Sequence, residues 1–216
     1  PMLISKLVVG PFQCNCTILA CEKTKEAVVI DAGDEFERIR DELTRMGVKV
    51  KHSIHTHAHL DHIGAVSGLK KFDPQIKISL HRADNEMYGQ LPMQGQMFGF
   101  QYDVPPPVDH FLEDGEELSF GEHRCSVIHT PGHSPGGVCL HFKAGTVAEK
   151  PFLFSGDTLF HESIGRTDLW GGDFSILKKS IQQRLFALDQ ETLVMPGHGM
   201  RTSIAHERDS NPFVGQ

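Results

Sequence analysis

Apolar and polar residues alternate along the first thirty positions of the chain. Segments 2–9, 14–21 and 26–31 alternate or run apolar, and they are rich in β-branched residues. The segments are separated by Gly-Pro and by Glu-Lys-Thr-Lys, which are typical of turns between strands. The pattern therefore predicts three opening strands.

Segments with helical periodicity then alternate with segments of strand periodicity up to residue 80. A helix is predicted over 36–46, with Asp34 as its N-cap and Glu37 three residues later. The next segments predict a strand over 48–56, a helix over 64–72 and a strand over 76–80. The first half of the chain thus has an alternating β and α order.

The second half repeats this order of strands followed by helices. Strands are predicted over 117–120, 125–129, 137–142 and 152–155, then a helix over 174–188 and a strand over 192–195. Strands and helices twice over favour an α/β fold with two sheets packed together and helices outside. We expect a single domain over residues 1–216.

One segment, 91–107, breaks the rhythm because it carries large apolar side chains without a strand or helix period. We expect it to roof the active site, with Met97 and Phe98 facing substrate, or to form a contact in a homodimer. Gly95 and Gly99 would let such a roof move, and methionine adapts to varied ligands. The alternative is a helix-like element packed in the core.

Composition excludes several classes of protein. A formal charge of −7 over 216 residues argues against nucleic-acid binding, which usually needs a basic face. No run approaches the roughly 18 apolar residues of a membrane span, and no signal-peptide layout is present. Five cysteines without a C-x-x-C pair favour free thiols in a reducing compartment. We expect a cytoplasmic protein that binds neither nucleic acid nor membrane.

The chemistry concentrates in the run Thr-His-Ala-His-Leu-Asp-His at 56–62. A strand over 51–57 would place His57 and His59 on one side at its exit. Asp61 and His62 would fall on the following turn and helix start. One loop would then supply ligands to two adjacent metals.

Three further ligand candidates each follow an apolar run and stand among glycines and prolines. They are His133 in Pro-Gly-His-Ser-Pro-Gly, Asp157 in Ser-Gly-Asp-Thr and His198 in Pro-Gly-His-Gly. Such loops aim a side chain into a cleft. Each alone reads as a turn residue, but together with the 56–62 run they indicate a metal site.

These blocks, together with Gly-Arg-Thr-Asp at 165–168, resemble the metallo-β-lactamase superfamily along essentially the whole chain. They are most similar to its glyoxalase II (hydroxyacylglutathione hydrolase) branch. The resemblance implies a four-layer αβ/βα sandwich. It also implies that His57, His59 and His133 bind one metal, that Asp61, His62 and His198 bind a second, and that Asp157 bridges the two.

The resemblance and the donor chemistry together predict a hydrolase with two divalent metal ions. Imidazole and carboxylate ligands without thiolate suit Zn, with Fe or Mn as alternatives. A metal-bridging hydroxide would attack a polarised carbonyl, with Asp61 and Asp157 as the catalytic carboxylates. The expected substrate is S-D-lactoylglutathione or a related small-molecule thioester. The Asp61-His62 pair, from which true β-lactamases usually depart, argues against an antibiotic substrate.

Two residues beside the ligand set are predicted to contact substrate. Arg166 stands where glyoxalase II enzymes carry a substrate-contacting lysine, and a guanidinium binds a carboxylate through two hydrogen bonds. The alternative is a salt bridge between Arg166 and Asp168. His161, four residues after Asp157, is the second candidate.

The chain also departs from the glyoxalase II pattern. Only about 18 residues follow His198, so we expect no C-terminal helical glutathione-binding domain. A mononuclear iron persulfide dioxygenase of the same fold, with His57, His133 and Asp157 as ligands, is the main alternative. A lactonase or an RNA-processing protein of this fold is the weaker one.

Overall fold

Six strands from the first half of the chain form one mixed sheet. The computed structural model describes residues 1–145 and 148–216. The strands are β1 (Met2–Val9), β2 (Cys14–Cys21), β3 (Glu26–Ile30), β4 (Lys49–Ile54), β5 (Lys77–His81) and β6 (His110–Leu112). They lie in that order, antiparallel from β1 to β3 and parallel from β3 to β6. The sequence pattern predicted all of them except β6, which has only three residues.

Five helices accompany this sheet in the described part of the chain. They are α1 (Phe36–Met46), α2 (Leu60–Ile63), α3 (Val66–Phe72), α4 (Asn85–Gly89) and α5 (Leu91–Gln96). Ile39 and Leu43 of α1 are buried against Val29 and Leu69 in one apolar cluster. The predicted helix over 64–72 begins two residues later than expected, at Val66. Gly64 and Ala65 form the turn between α2 and α3 instead.

The predicted N-cap of α1 is wrong by one residue. Glu35 precedes the helix in the left-handed conformation, with φ of 51°, and no side chain caps the first turn. Asp34 instead accepts a hydrogen bond from the N–H of Glu35, and the Glu35 carboxylate accepts one from the N–H of Gly10. The contact with Gly10, far away in sequence, overrides the local capping signal.

The second sheet is built from strands of the second half. Its strands are β7 (Glu117–Phe120), β8 (His123–His129), β9 (Val138–Phe142), β10 (Phe152–Gly156), β13 (Leu193–Pro196) and β14 (Thr202–Ser203), in the order β14-β13-β10-β9-β8-β7. Strands β10 and β13 pair in parallel, so their carboxyl ends meet at one edge. A separate two-stranded hairpin joins β11 (Leu159–Phe160) to β12 (Ser163–Ile164).

Two helical segments cover apolar residues of the second sheet. Helix α6 (Phe174–Lys179) continues as a π-helix over Ser180–Leu185, and α7 (Ile204–Ser210) follows β14. Leu177 and Ile181 pack with Leu153 and Val194 in one buried cluster. The predicted helix over 174–188 is therefore confirmed in place, although its periodicity did not reveal the wider π turn.

The chain forms two compact units. Unit 1 comprises Pro1–Leu112 and Phe120–Glu122, and unit 2 comprises Glu113–Ser119 and His123–Gln216. A mixed α/β fold with two sheets, as the strand and helix order predicted, is confirmed. None of the helices in the described ranges is long and apolar enough to cross a membrane. That residues 1–216 make one domain stays a prediction.

Candidate metal centre

In unit 1 the His-rich run follows β4 as a loop held by buried carboxylates. The strand ends at Ile54, short of the predicted exit at residue 57. Asp31, just beyond β3, accepts hydrogen bonds from the Thr56 N–H and hydroxyl, both 2.8 Å long. Asp84 accepts one from the N–H of Ala58 at 2.9 Å. These bonds, and not strand alternation, set the positions of the histidines.

The histidines of this loop lie close together around His57. Its ring centroid is 4.8 Å from that of His59 and 4.1 Å from that of His62. Asp61 and His62 lie on α2, as the sequence predicted, with Nε2 of His62 at 3.4 Å from Oδ2 of Asp61. Unit 1 therefore brings together all four predicted ligands of the 56–62 run.

A contact between Nδ1 of His62 and Asp31 orients the His62 ring. Nδ1 lies 2.9 Å from Oδ2 of Asp31, and both side chains are buried. This contact leaves Nε2 on the side of Asp61. A histidine that donates Nδ1–H to a carboxylate and presents Nε2 elsewhere has the usual arrangement of a metal ligand.

His55 supports the same helix from the core. It is fully buried, with Nδ1 at 2.7 Å from the carbonyl oxygen of His62 and Nε2 at 2.9 Å from the hydroxyl of Ser53. Burial lowers the pKa of His55, so the neutral ring is favoured. His55 is therefore a core residue that contacts the backbone of α2.

Unit 2 brings its three predicted ligands together at the ends of three strands. His133 follows β8, Asp157 follows β10 and His198 follows β13. The Nε2 atoms of His133 and His198 each lie 3.5 Å from the same oxygen, Oδ2 of Asp157. Nδ1 of His133 lies 2.7 Å from the carbonyl oxygen of Arg166. One carboxylate oxygen thus faces two imidazole nitrogens.

A glycine packs against the backbone of an acidic predicted ligand in each unit. A Cβ atom on Gly33 would stand 1.8 Å from the carbonyl oxygen of Asp61, and one on Gly165 would stand 1.8 Å from that of Asp157. Any larger residue at these positions must displace the backbone of Asp61 or of Asp157. This packing explains why Gly165 precedes Arg166 in the sequence block.

The donor set in each unit fits a divalent metal. Oxygen and imidazole nitrogen donors converge, and the partners of Nδ1 in His62 and His133 orient the rings. The Cys14 thiol lies 3.6 Å from Nδ1 of His62, on the Asp31 side of the ring, and burial raises its pKa to about 12. A neutral thiol in that position is a packing group rather than a ligand.

The predicted substrate-contacting residues lie on surfaces. Arg166 donates to both oxygens of Asp168, at 2.7 and 2.9 Å, and both side chains are more than 60% exposed, at 61% and 68%. The salt bridge that the sequence left open is thus formed. His161 lines an open pocket of about 430 Å³ that His198 also lines.

The segment 91–102 is partly helical and partly exposed. Leu91 is buried in a cluster of unit 1, so the helix-like reading holds for α5. Met97 and Phe98 are 77% and 52% exposed, and the Phe98 ring contacts Phe12 at a centroid distance of 5.1 Å. Their predicted roles as a roof or a dimer contact stay predictions.

Three residues that hold the 56–62 loop of unit 1 were not predicted from the sequence. Asp31 and Asp84 are described above, and Gln94 of α5 accepts from the N–H of Leu60 and donates to the carbonyl of Ala58. Asp31 directly follows an apolar strand, the same signal that identified Asp157. Nothing local in the sequence marks Asp84 or Gln94, because their partners are distant along the chain.

The chain is similar in sequence to a known protein family and to known proteins. The metallo-beta-lactamase superfamily model matches residues 9–198. Hydroxyacylglutathione hydrolase GloC of Haemophilus influenzae is 36% identical over 222 residues, covering 99% of this chain and 98% of that protein.

Two solved structures are similar over nearly their full length. BLEG-1, described as a B3 metallo-beta-lactamase, is 36% identical with a TM-score of 0.88, covering 99% of this chain and 100% of that one. TTHA1623 in a di-iron-bound form is 36% identical with a TM-score of 0.86, covering 97% and 99%. With the ligand clusters of both units, these matches confirm the resemblance seen in the sequence, and the chain belongs to the metallo-beta-lactamase superfamily.

Proposed function

We propose that this member of a metallo-hydrolase superfamily is a binuclear thioesterase acting on S-D-lactoylglutathione or a related small-molecule thioester. The observation that carries the proposal is the placement of Asp157, whose Oδ2 faces Nε2 of both His133 and His198 at 3.5 Å. A carboxylate shared in this way suits a pair of metals roughly 3.5 to 4 Å apart. The name of the GloC relative supports the substrate class.

The proposal assigns all seven predicted ligands to two ions. His57, His59 and His133 bind the first ion, Asp61, His62 and His198 bind the second, and Asp157 bridges them. Family membership supports this joint assignment, and so does the convergence of donors within each unit. Zn²⁺ is the proposed metal, while the di-iron form of TTHA1623 supports iron as the alternative.

In the proposed reaction, the metal ions would activate the thioester and the water, and residues of the chain would position the metal ligands. Bound divalent ions supply a Lewis acid for the thioester carbonyl and lower the pKa of water to about 7. Asp31 keeps Nε2 of His62 directed at Asp61, and Asp61 and Asp157 are proposed as the catalytic carboxylates. A thiolate is a good leaving group, so no dedicated general acid is needed.

Substrate recognition is proposed to involve an anionic group. The guanidinium of Arg166 is exposed and binds a carboxylate, that of Asp168, through two hydrogen bonds. A substrate carboxylate would replace Asp168 in the same geometry. His161, Met97 and Phe98 are proposed as further contacts with the substrate. We also propose a cytoplasmic location, where thiols stay reduced.

The proposed function is tested with one preparation assayed for metal content, thioester hydrolysis and oxygen uptake with glutathione persulfide. We expect close to two metals per chain and thioester hydrolysis without oxygen consumption. One iron per chain, oxygen uptake and no thioesterase activity would establish the persulfide dioxygenase instead. Because BLEG-1 is described as a β-lactamase, a cephalosporin is assayed in parallel. Faster turnover of the cephalosporin than of every thioester would contradict the proposal.

A further inference from the structure

A second cluster of metal-binding side chains lies in unit 2, outside the seven proposed ligands. It consists of His161, Glu162 and His206, each of which offers one ligand atom, and these atoms lie within 4.8 Å of one another. Oε1 of Glu162 is 3.1 Å from Nε2 of His206, and Oε2 is 3.6 Å from Nε2 of His161. The carboxylate therefore stands between two imidazole nitrogens.

The two histidine rings are aligned with each other. Their centroids are 5.2 Å apart and their planes differ by only 5°. The contact from His206 to Glu162 has the length of a hydrogen bond, whereas the contact from His161 is too long for one. Within residues 1–145 and 148–216, no hydrogen-bond partner lies in reach of Nδ1 of His161. Hydrogen bonding therefore accounts for only one of the two rings.

The cluster is built on a strained and well-anchored turn. His161 and Glu162 are the two residues between β11 and β12, and Glu162 has a φ of 53°, which is unfavourable for a side chain of its kind. The fully buried carboxylate of Glu207 holds this conformation by accepting the N–H of Glu162 at 2.8 Å. A backbone strain of this kind persists when the surroundings impose it.

Glu207 also lies behind the ring of His161. It lies on α7 next to His206, and its Oε2 is 3.9 Å from Nδ1 of His161. Asn211 donates to its other oxygen at 2.9 Å, so the carboxylate is fixed. A buried carboxylate behind a histidine ring is the common support of a metal ligand.

We propose that His161, Glu162 and His206 bind a divalent transition-metal ion, with Zn²⁺ as the best match, separate from the two ions of the hydrolase centre. Two imidazoles and one carboxylate are a donor set that zinc accepts, with ligand distances of about 2.0–2.2 Å. The spread of the donor atoms lets one ion reach all three after small rotations of the side chains. The inference does not rest on the proposed thioesterase activity, although it shares one residue with it, since His161 is also proposed as a substrate contact.

The surroundings leave room for a fourth ligand. His161 and His206 both line an open pocket of unit 2 that Lys150 and Arg201 also line. Water or a small anion is therefore the expected fourth ligand, since the two cations favour negative charge. An ion at this site would tie the β11–β12 turn to α7 and stabilise both.

The test counts zinc bound by the full chain at buffered free zinc, in the wild type and in three cluster variants. The variants are His161→Ala, Glu162→Gln and His206→Gln, and the matched control is Arg208→Ala on an exposed position of α7. We expect each cluster variant to bind one zinc fewer per chain than the wild type and the control. Equal zinc content in wild type and cluster variants, or an equal loss in Arg208→Ala, would overturn the proposal.

A spectroscopic measurement distinguishes the loss of a metal ligand from a general loss of stability in the variants. Protein that holds zinc in the two proposed hydrolase positions alone should give the visible absorption bands of a four-coordinate site when Co²⁺ is added. His206→Gln, which keeps a polar side chain beside Glu162, should abolish these bands. In protein prepared in the same way, added zinc should raise the Tm of the wild type and of Arg208→Ala but not that of the cluster variants, because a ligand that binds only folded protein stabilises it. Bands of unchanged intensity in His206→Gln would overturn the site even if its zinc content had fallen.

Discussion

Asp31 and His62 form a buried carboxylate–imidazole pair, with Oδ2 of Asp31 at 2.9 Å from Nδ1 of His62. The same carboxylate accepts both the N–H and the hydroxyl of Thr56. A single side chain at the end of β3 thus aims a proposed ligand on α2 and shapes the loop that carries His57. The pair therefore helps to set the positions of the predicted ligands in the 56–62 run.

Replacing Asp31 should weaken metal binding without removing a ligand. In Asp31→Asn the amide supports Nδ1–H of His62 less well than a carboxylate, so metal affinity should fall about 10- to 100-fold. Competition with a chromophoric chelator measures the change, and Asp41→Asn on the exposed face of α1 is the control. Unaltered affinity in Asp31→Asn would show that the pair has only a structural role.

Removing the shared carboxylate should differ from removing an end ligand. Asp157→Ala should lose both metals, because each proposed ion takes one ligand from that side chain. His198→Ala should mainly empty the second position. Elemental analysis of both variants decides the matter, and a full metal complement in Asp157→Ala would disprove the bridging assignment.

Arg166→Ala should affect anionic substrates selectively. If the guanidinium binds a substrate carboxylate, KM for anionic thioesters should rise while small neutral esters are turned over as before. The Tm should barely change, because exposed ion pairs contribute only about 0–1 kcal/mol. Steady-state kinetics on matched charged and neutral substrates is the measurement.

A partner variant sharpens this test. The hydrogen bonds from Arg166 lower the pKa of Asp168 to about 2, so Asp168 is charged at neutral pH and competes for the guanidinium. Asp168→Asn should therefore lower KM for the anionic thioesters. Equal losses on charged and neutral substrates in Arg166→Ala would favour the purely structural salt bridge.

Gly165→Ala should reduce metal content although residue 165 carries no ligand. The added methyl group would meet the carbonyl oxygen of Asp157 and Nδ1 of His133, so the backbone of one ligand or the ring of another must move. Gly89→Ala, where the methyl group meets no atom within 4 Å, is the matched control. Normal metal content and activity in Gly165→Ala would show that the site tolerates the shift.

Asp109 should make the stability of the protein depend on pH. Burial alone would raise its pKa, but hydrogen bonds from Lys70 and from the N–H of Ile78 outweigh burial and lower the pKa from its usual value. The charged carboxylate therefore stabilises the fold above the unfolded-state pKa of about 3.9, and this contribution is lost as the pH falls through the lower folded-state value.

Asp109→Asn isolates that contribution. At pH 7 the variant should be less stable than the wild type by about 1 kcal/mol, because a charge-assisted hydrogen bond is replaced by a neutral one. The difference should shrink as the pH falls below about 4. Urea unfolding at several pH values measures it, and a difference independent of pH would contradict the assignment.

Local patterns in the sequence determined most of the elements and the seven proposed ligands. The strands β1 to β5 and the helix α1 follow from apolar periodicity, which short-range side-chain geometry dictates. The loops of the proposed ligands are visible in the sequence because glycine and proline mark the turns that end a strand. A His or Asp residue in such a turn indicates a metal site. The convergence of His133, Asp157 and His198 also follows from strand ends that meet at one edge of a sheet.

Only the tertiary structure decided the features that depend on contacts distant along the chain. Glu35 precedes α1 in a left-handed conformation while its carboxylate accepts the N–H of Gly10, and β4 ends early because Asp31 accepts the N–H of Thr56. The cluster of His161, Glu162 and His206 joins a hairpin turn to a helix more than forty residues later, and Glu207 holds the turn from that helix. No local pattern encodes such pairings, because their free energy arises from burial and hydrogen bonds that exist only once the chain has folded.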